Sequence, residues 1–439
     1  MKKEISKKFY KLFPLVLFCL LSIASVSQAQ NKVIEKEFSI GANDVLSVQH
    51  AYGKLTVKKA TGNKVKAKVT YNVSGKSDAD VQRLIKKIQF QEKNSGGTKM
   101  IAALPAISMY RKSTFSTEIT FEDGDAVKGI SNMEIDFELW VPDGVELVLN
   151  NKYEDIEIEA RSGKVSVELF EADLLAKGLT GALDLSLKYG TANLGTLKSL
   201  KLSLFESTLN LDSATKLTMD SKYSKHFIKQ LTNPKIASFE GKFTIDKING
   251  TLELNDKYST LTIDQLEAGD FMLFETKMNL KKVDQLVANT KYGKFEIGTA
   301  GSLQFETSFE DDIEVGTLGD FKSEDSKYGD FDIKTLNGRI QLNQDFESDL
   351  SVSSVGSSWK GLDITGKYMD INVRIPSSVK YQLDFDADYG KLKFPKKSFN
   401  NLNFNDKGDK LQAKGMMQGA SSTSAVVKIS GYEINTNLQ

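Results

Sequence analysis

Residues 186–223 read SLKYGTANLGTLKSLKLSLFESTLNLDSATKLTMDSKY. Lys188-Tyr189 stands near one end, Lys222-Tyr223 closes the other, and Phe205-Glu206 lies midway, 17 residues from each lysine. The same alternation runs outward in both directions. Lys-Tyr recurs at Lys152, Lys257, Lys291, Lys327 and Lys367, and Phe-Glu at Phe170, Phe239, Phe274, Phe309 and Phe346. With each Phe placed in the Lys slot, the steps from Lys152 to Lys327 are 18, 18, 17, 17, 17, 18, 17, 17, 18 and 18 residues. A short unit repeated at so constant a period is the signature of a stacked repeat architecture.

Apolar residues keep fixed offsets from the slot. Val165 and Val167, Leu200 and Leu202, Leu217 and Met219, and Leu252 and Leu254 stand five and three residues before it. Ile156 and Ile158, Leu209 and Leu211, Phe243 and Ile245, and Leu261 and Ile263 stand four and six after it, and Leu179, Leu197, Leu231, Ile248 and Leu266 nine after it. Alternation of this kind marks strands with one buried face. A unit of two or three short strands closes no core alone, so successive units must bury each other's apolar edges. The predicted fold is all-β, a β-solenoid of stacked 17–18-residue rungs over residues 150–395. With rungs about 4.8 Å apart, some fourteen turns make a rod of roughly 65 Å. Leucine-rich repeats need a fixed Asn and a longer apolar spacing, which this chain lacks.

Stacking sets Lys188 beside Phe170 and Phe205, and Tyr189 beside Glu171 and Glu206. Cation–π contacts in one column and Tyr-to-carboxylate hydrogen bonds in the other are the expected braces of this corner. The phenylalanines point away from inward Leu169, Leu204 and Leu273. A candidate surface-contact ladder is therefore Phe170, Lys188, Phe205, Lys222, Phe239, Lys257, Phe274 and Lys291. Outward rings stack on sugars or on a partner protein; the alternative is that lysine stems or the N-terminal loop cover them.

Residues 1–29 have the three-part form of a secretory signal peptide: Lys2, Lys3, Lys7, Lys8 and Lys11, an apolar run from Leu12, then small residues at Ser27 and Ala29. Phe18 before Cys19 is too large for lipoprotein cleavage, so no lipid anchor is expected. Cleavage removes Cys19, the one cysteine, which excludes disulfides and thiolate metal sites. It also takes away five lysines and one glutamate, moving the formal charge from 0 to −4. With only five scattered arginines, Arg83, Arg111, Arg161, Arg339 and Arg374, nothing marks a nucleic-acid binder. No later stretch approaches the roughly 20 apolar residues of a membrane helix.

Residues 31–149 read as a β-rich layer. Leu46, Val48, Leu55 and Val57 around Tyr52-Gly53 repeat the corner pattern. Ser77 and Asp80 form a capping box before Val81, Leu84, Ile85 and Ile88, predicting one helix over 78–89. Strands are expected at 65–73, 115–121 and 133–141, with a mobile loop at Gly96-Gly97 and 102–112. Val141-Pro142-Asp143-Gly144 leads into the repeats, and Ile375-Pro376-Ser377-Ser378-Val379 is a similar lead-in before the Tyr389-Gly390 corner. Residues 396–439 are expected to cap the open end, which would otherwise be an exposed edge. The leader, the first Tyr-Gly corner, the lone helix, the Val-Pro-Asp-Gly lead-in and the short-strand repeats together resemble the bacterial putative-adhesin family of β-strand repeat proteins, a family of unknown function. The resemblance covers most of the chain after the leader and implies attachment. It brings no catalytic residues with it, and the long Lys-Tyr and Phe-Glu array departs from shorter relatives.

Three functional classes follow. The expected one is an exported, non-enzymatic, adhesin-like binding or spacer module of the periplasm or cell surface, with a glycan or protein ligand and no cofactor. The second is a polysaccharide-active β-helix, lyase or hydrolase. Asp384, Asp386 and Asp388 share an outward face there and are a candidate calcium site, against a solvated strand face; Glu310, Asp311 and Asp312 form an acidic corner with the same two readings. The third is a purely structural periplasmic scaffold. His50 and His226 are the only histidines, and no nucleophile motif accompanies either. Nothing in the sequence fixes an oligomeric state.

Overall fold

The structure, a computed structural model, describes residues 28–41, 43–103, 107–112 and 117–439. The signal peptide read over residues 1–29 lies outside these, apart from residues 28 and 29. The chain divides into two compact units, Met1–Pro142 and Asp143–Gln439.

In the first unit, Lys64–Gly75 pairs antiparallel with Gln28–Ser39 on one side and with Ile130–Val141 on the other. Ile130–Val141 also pairs parallel with Leu55–Lys59. Tyr52, between Val45–Gln49 and Leu55–Lys59, takes a left-handed φ of 63°, so the corner that defines the repeats is already present. The helix spans Asp78–Lys87, slightly shorter than predicted. Ser77 caps it by accepting from Asp80 N–H, and Val81, Leu84 and Ile85 are buried. Part of the expected loop is ordered: Gly96-Gly97 turns a hairpin between Gln91–Ser95 and Thr98–Ala102, and Ile107–Lys112 is a strand. That strand pairs with Thr117–Phe121 in a small antiparallel sheet.

The second unit is built as a β-solenoid, and the chain has about 13 stacked turns at about 18-residue spacing. Its register is the one that the slot predicts. Lys152 pairs with Phe170, Phe170 with Lys188, Lys188 with Phe205, and Phe205 with Lys222. The alternation continues unbroken through Phe309, Lys327, Phe346 and Lys367. The three apolar columns are buried throughout, as at Leu202, Leu209 and Leu197. Half of the turns from Lys152 to Lys367, such as Thr191–Phe205, Thr208–Lys222 and Thr260–Phe274, are one long strand rather than the two or three short strands expected; the others divide, as Lys225–Thr232 and Lys235–Phe239 do. In the long turns only the Tyr/Glu corner breaks the strand, and backbone bonding passes through it. Tyr189 N–H donates to Phe205 O at 3.1 Å and Glu206 N–H to Lys222 O at 3.0 Å.

At the far end the chain departs from sequential stacking. Ala425–Leu438 inserts in parallel between Gly361–Val373 and Tyr381–Asp388, so the last strand forms the penultimate rung. Glycine makes the fit possible: a Cβ on Gly431, at φ 151°, would lie 1.9 Å from Gly366 O, and one on Gly361, at φ 117°, would lie 1.9 Å from Val426 O. Lys410–Met417 then pairs antiparallel with the other edge of Tyr381–Asp388, and Phe399–Asp406 pairs antiparallel with Lys410–Met417.

Candidate functional site: an aromatic ladder

Each second residue of the repeated pairs is in the left-handed region. Tyr189, Glu206, Tyr223, Glu240, Tyr258 and Glu275 have φ of 60°, 46°, 56°, 50°, 64° and 49°, and the pattern holds from Tyr153 to Tyr389. A non-glycine residue there is disfavoured by about 1–2 kcal/mol, so the surroundings must over-determine the conformation. Ring contacts do this at the tyrosines.

Slot and corner residues form two adjacent columns, Phe alternating with Lys and Glu with Tyr. Every Tyr ring therefore lies diagonally between the phenylalanines of the rungs above and below. Tyr189 meets Phe170 at 5.5 Å and Phe205 at 5.6 Å between centroids, with interplanar angles of 85° and 86°. The same edge-to-face contact runs from Tyr153 through Phe170, Tyr189, Phe205, Tyr223, Phe239, Tyr258, Phe274, Tyr292, Phe309, Tyr328, Phe346 and Tyr368, at 5.4–6.0 Å. The inserted strand adds Tyr432, which occupies a Phe slot and touches both Tyr368 and Tyr389 at 5.5 Å. Such pairs contribute about 0.5–1.5 kcal/mol each.

The expected braces are corrected accordingly. Among the described residues of the array only Lys291 places its ammonium over ladder rings, 4.8 Å from Tyr292 and 4.7 Å from Phe309. Lys188, Lys222 and Lys257 extend into solvent without a ring contact, and ring edges take the place of the Tyr-to-carboxylate hydrogen bonds. The phenylalanines are half-buried, with tyrosine edges against them and, at Phe309, the Lys291 ammonium as well. Tyr189 and Tyr258 are both 43% exposed. Tyrosine, lysine and glutamate thus make the outer face, each recurring every second rung, about 9.6 Å apart.

Opposite outcomes are expected at the two kinds of corner residue. Glu240→Gly relieves the left-handed backbone and loses no ring, so it should stabilise by about 0.5–1 kcal/mol. Tyr258→Gly gives the same relief but loses the contacts to Phe239 and Phe274, for a net loss of about 1–2 kcal/mol. Urea melts of the two variants check the pair, and stabilisation by both would show that the rings contribute nothing.

Behind the ladder lies a feature that the sequence reading missed. The inward positions that hold Leu169, Leu187 and Leu204 in early rungs are polar at Ser221, Ser238, Asp256, Thr290, Ser308, Ser326 and Asp345, with Leu273 the apolar exception. Buried Asp256 accepts from Thr276 Oγ1 at 2.6 Å. Buried Asp311 accepts from Ser308 Oγ at 2.6 Å, Gly293 N–H at 2.6 Å, Phe309 N–H at 3.0 Å and Thr290 Oγ1 at 3.2 Å; burial still pushes its acid upward. The acidic corner at Glu310, Asp311 and Asp312 is therefore not a shared solvated face. Glu310 is exposed, Asp311 points inward, and Asp312 pairs with Lys294 at 2.8 Å. The visible signal was the change from Leu to Ser, Thr and Asp one residue before the slot, as at Ser221 and Asp256; Thr276 and Asp311 stand two residues after it.

The remaining candidates are accounted for by their neighbours. Asp384 pairs with Lys414 at 2.8 Å, and Asp386 and Asp388 lie 3.3 Å and 3.9 Å from Lys410. The three carboxylates thus knit two antiparallel strands together. His226 replaces an apolar residue in the column between Leu209 and Phe243. Its Nε2 lies 2.9 Å from Ser221 Oγ, a nucleophile–base geometry, but both residues are buried, and burial lowers the imidazole pKa to about 3. His50, in the first unit, is lowered to about 4 by the same cause. On another face a shallow groove of about 430 Å³ carries Glu296, Glu314 and Asp332 on successive rungs.

No family model matches the chain, and no curated protein does. Among solved structures, the matches include two bacterial proteins. A putative cell adhesion protein from Clostridium sporogenes is 12% identical, with a TM-score of 0.19 over 93% of this chain and 100% of that one. A putative adhesin from Bacteroides fragilis is 12% identical, with a TM-score of 0.25 over 61% of this chain and 97% of that one. Among the described residues no helix is long and apolar enough to cross a membrane.

Proposed function

We propose that this chain is an exported, non-enzymatic β-solenoid that serves as an adhesin-like binding module at the cell surface or in the envelope, with the aromatic ladder as its contact face. One observation carries the reading: rings in continuous edge-to-face contact display half-exposed tyrosines at a constant interval, beside exposed lysines. The ring contacts stabilise these corners, yet they leave close to half of each tyrosine facing solvent. A tyrosine offers an apolar face and a hydroxyl to the same ligand, and a straight row of them suits an extended glycan that repeats along its length. The chain also works as a rigid spacer, since each rung bonds only to its neighbours.

The test has two arms. An epitope placed at 96–99 is probed with protease on intact and lysed cells; digestion on intact cells supports surface display, and protection until lysis removes the surface role. The purified chain is then passed over immobilised glycans beside a variant with Tyr223, Tyr258 and Tyr292 replaced by Asn, a residue that tolerates left-handed φ. A loss of retention of about tenfold or more is expected. Equal retention would exclude the ladder as the contact face. Release of cut glycan by the purified chain would instead favour the polysaccharide-active reading, for which the row of Glu296, Glu314 and Asp332 is the place to begin.

A further inference from the structure

The second lead-in, Ile375-Pro376-Ser377-Ser378-Val379, forms one wall of a cavity of about 770 Å³, within the roughly 300–1,000 Å³ of typical small-molecule sites. Its lining is apolar at Tyr381, Phe394, Met417 and Leu438. Tyr381 is 1% exposed and is held edge-to-face by Trp359 at 6.2 Å and Phe399 at 5.5 Å. The Tyr381 hydroxyl is buried without a hydrogen-bond partner, a rarity in a native interior. Two cations, Arg374 and Lys393, also line the cavity. Both are exposed, and among the described residues neither forms an ion pair. Nearby carboxylates are matched elsewhere: Asp384 to Lys414, Asp386 to Lys410 and Asp363 to Lys428. No Asp or Glu is among the described lining residues; at the rim one oxygen of the Gln439 main-chain carboxylate accepts from Ile375 N–H.

An apolar lining, two free cations and an unused hydroxyl have one chemical complement. We propose that this cavity binds a single-chain amphipathic carboxylate, its acyl tail against Phe394, Met417 and Leu438 and its head group held by Arg374, Lys393 and the Tyr381 hydroxyl. Arg374 offers paired N–H donors in the geometry that a carboxylate accepts, and Lys393 adds a point charge. The site lies in the closing rungs and is independent of the aromatic ladder.

The test is calorimetric titration of the full chain with laurate below its micellar concentration, beside dodecyltrimethylammonium, which has the same tail and the opposite charge. Laurate is expected to bind once per chain and the cation not to compete. Arg374→Gln with Lys393→Gln should weaken laurate at least about tenfold, as should Tyr381→Phe. Thermal melts guard against misfolding: both cations are exposed, and Tyr381→Phe removes an unsatisfied buried group, so the ligand-free melting temperature should not fall in either variant. The laurate-induced rise in melting temperature should shrink in both. Absence of laurate binding, equal binding of the cation, or unchanged affinity in either variant would overturn the proposal.

Discussion

Phe271→Ala is expected to lower the unfolding free energy by about 3–5 kcal/mol. Phe271 is fully buried, with Leu254 and Ala288 as its partners in the adjacent rungs. Gly269 has no side chain because the ring occupies that space; a Cβ there would lie 2.7 Å from the ring. Truncation leaves a cavity that Gly269 and Ala288 are too small to fill. The backbone cannot close it either, since hydrogen bonds hold the rungs about 4.8 Å apart. The upper half of the range is therefore expected. A stacked array can lose one region ahead of the rest, so urea melts should be joined by amide exchange. Lost protection centred on Leu252 to Leu286 would agree with this account, and a variant melting like the wild type would refute it.

Asp345→Asn is expected to change sign-sensitive pH behaviour by a similar amount. Asp345 is 2% exposed and its carboxyl oxygens have no well-placed hydrogen-bond partner. Burial pushes its pKa from 3.8 up to about 6, against the pull of Ser348 and the Phe346 amide, with Asp325 adding a smaller push. The folded state thus holds this proton more tightly than the unfolded chain. Its contribution to stability is complete below pH about 4 and is lost as pH rises through about 6. At pH 8 the buried carboxylate is charged, and the folded state is less favourable by about 3 kcal/mol than it would be with a neutral group. Asparagine is neutral throughout. The variant's stability relative to wild type should therefore rise by about 3 kcal/mol between pH 4 and pH 8, read from urea melts at both. A difference that does not change with pH would mean that Asp345 is solvated or paired in the folded state.

The register of the solenoid was legible because it depends on spacing alone. Placing Phe in the Lys slot predicted the Phe170–Lys188 and Lys188–Phe205 pairs that the structure contains. The ladder was half legible: its phenylalanines and lysines were visible, but the tyrosines were assigned hydrogen bonds instead of ring contacts. The reason is conformational. Left-handed φ at Tyr189 or Glu206 runs against residue preference, and only that backbone aims the tyrosine diagonally at two phenylalanines. Tyr432 was beyond reach for another reason. Its place depends on a strand that returns past two antiparallel ones, and periodicity says nothing about an element inserted out of order. The inward Asp311 looked like surface because Glu310 and Asp312 flank it. The cavity at Tyr381 is made by segments distant in sequence, and no local pattern announces it.

Insertion of Ala425–Leu438 between two earlier strands also sets an order of events. Each preceding rung can lay itself on the one before as soon as it is made. Gly361–Val373, however, waits with an open edge until more than fifty further residues have arrived. Strand Tyr381–Asp388, made sooner, carries a similar apolar pattern and is a ready wrong partner for that edge. The close glycine contacts at Gly361 and Gly431 are made with Ala425–Leu438 in place, so its insertion acts as a proofreading lock on assembly: until that strand fills the gap, the edge stays open to pairing with another molecule.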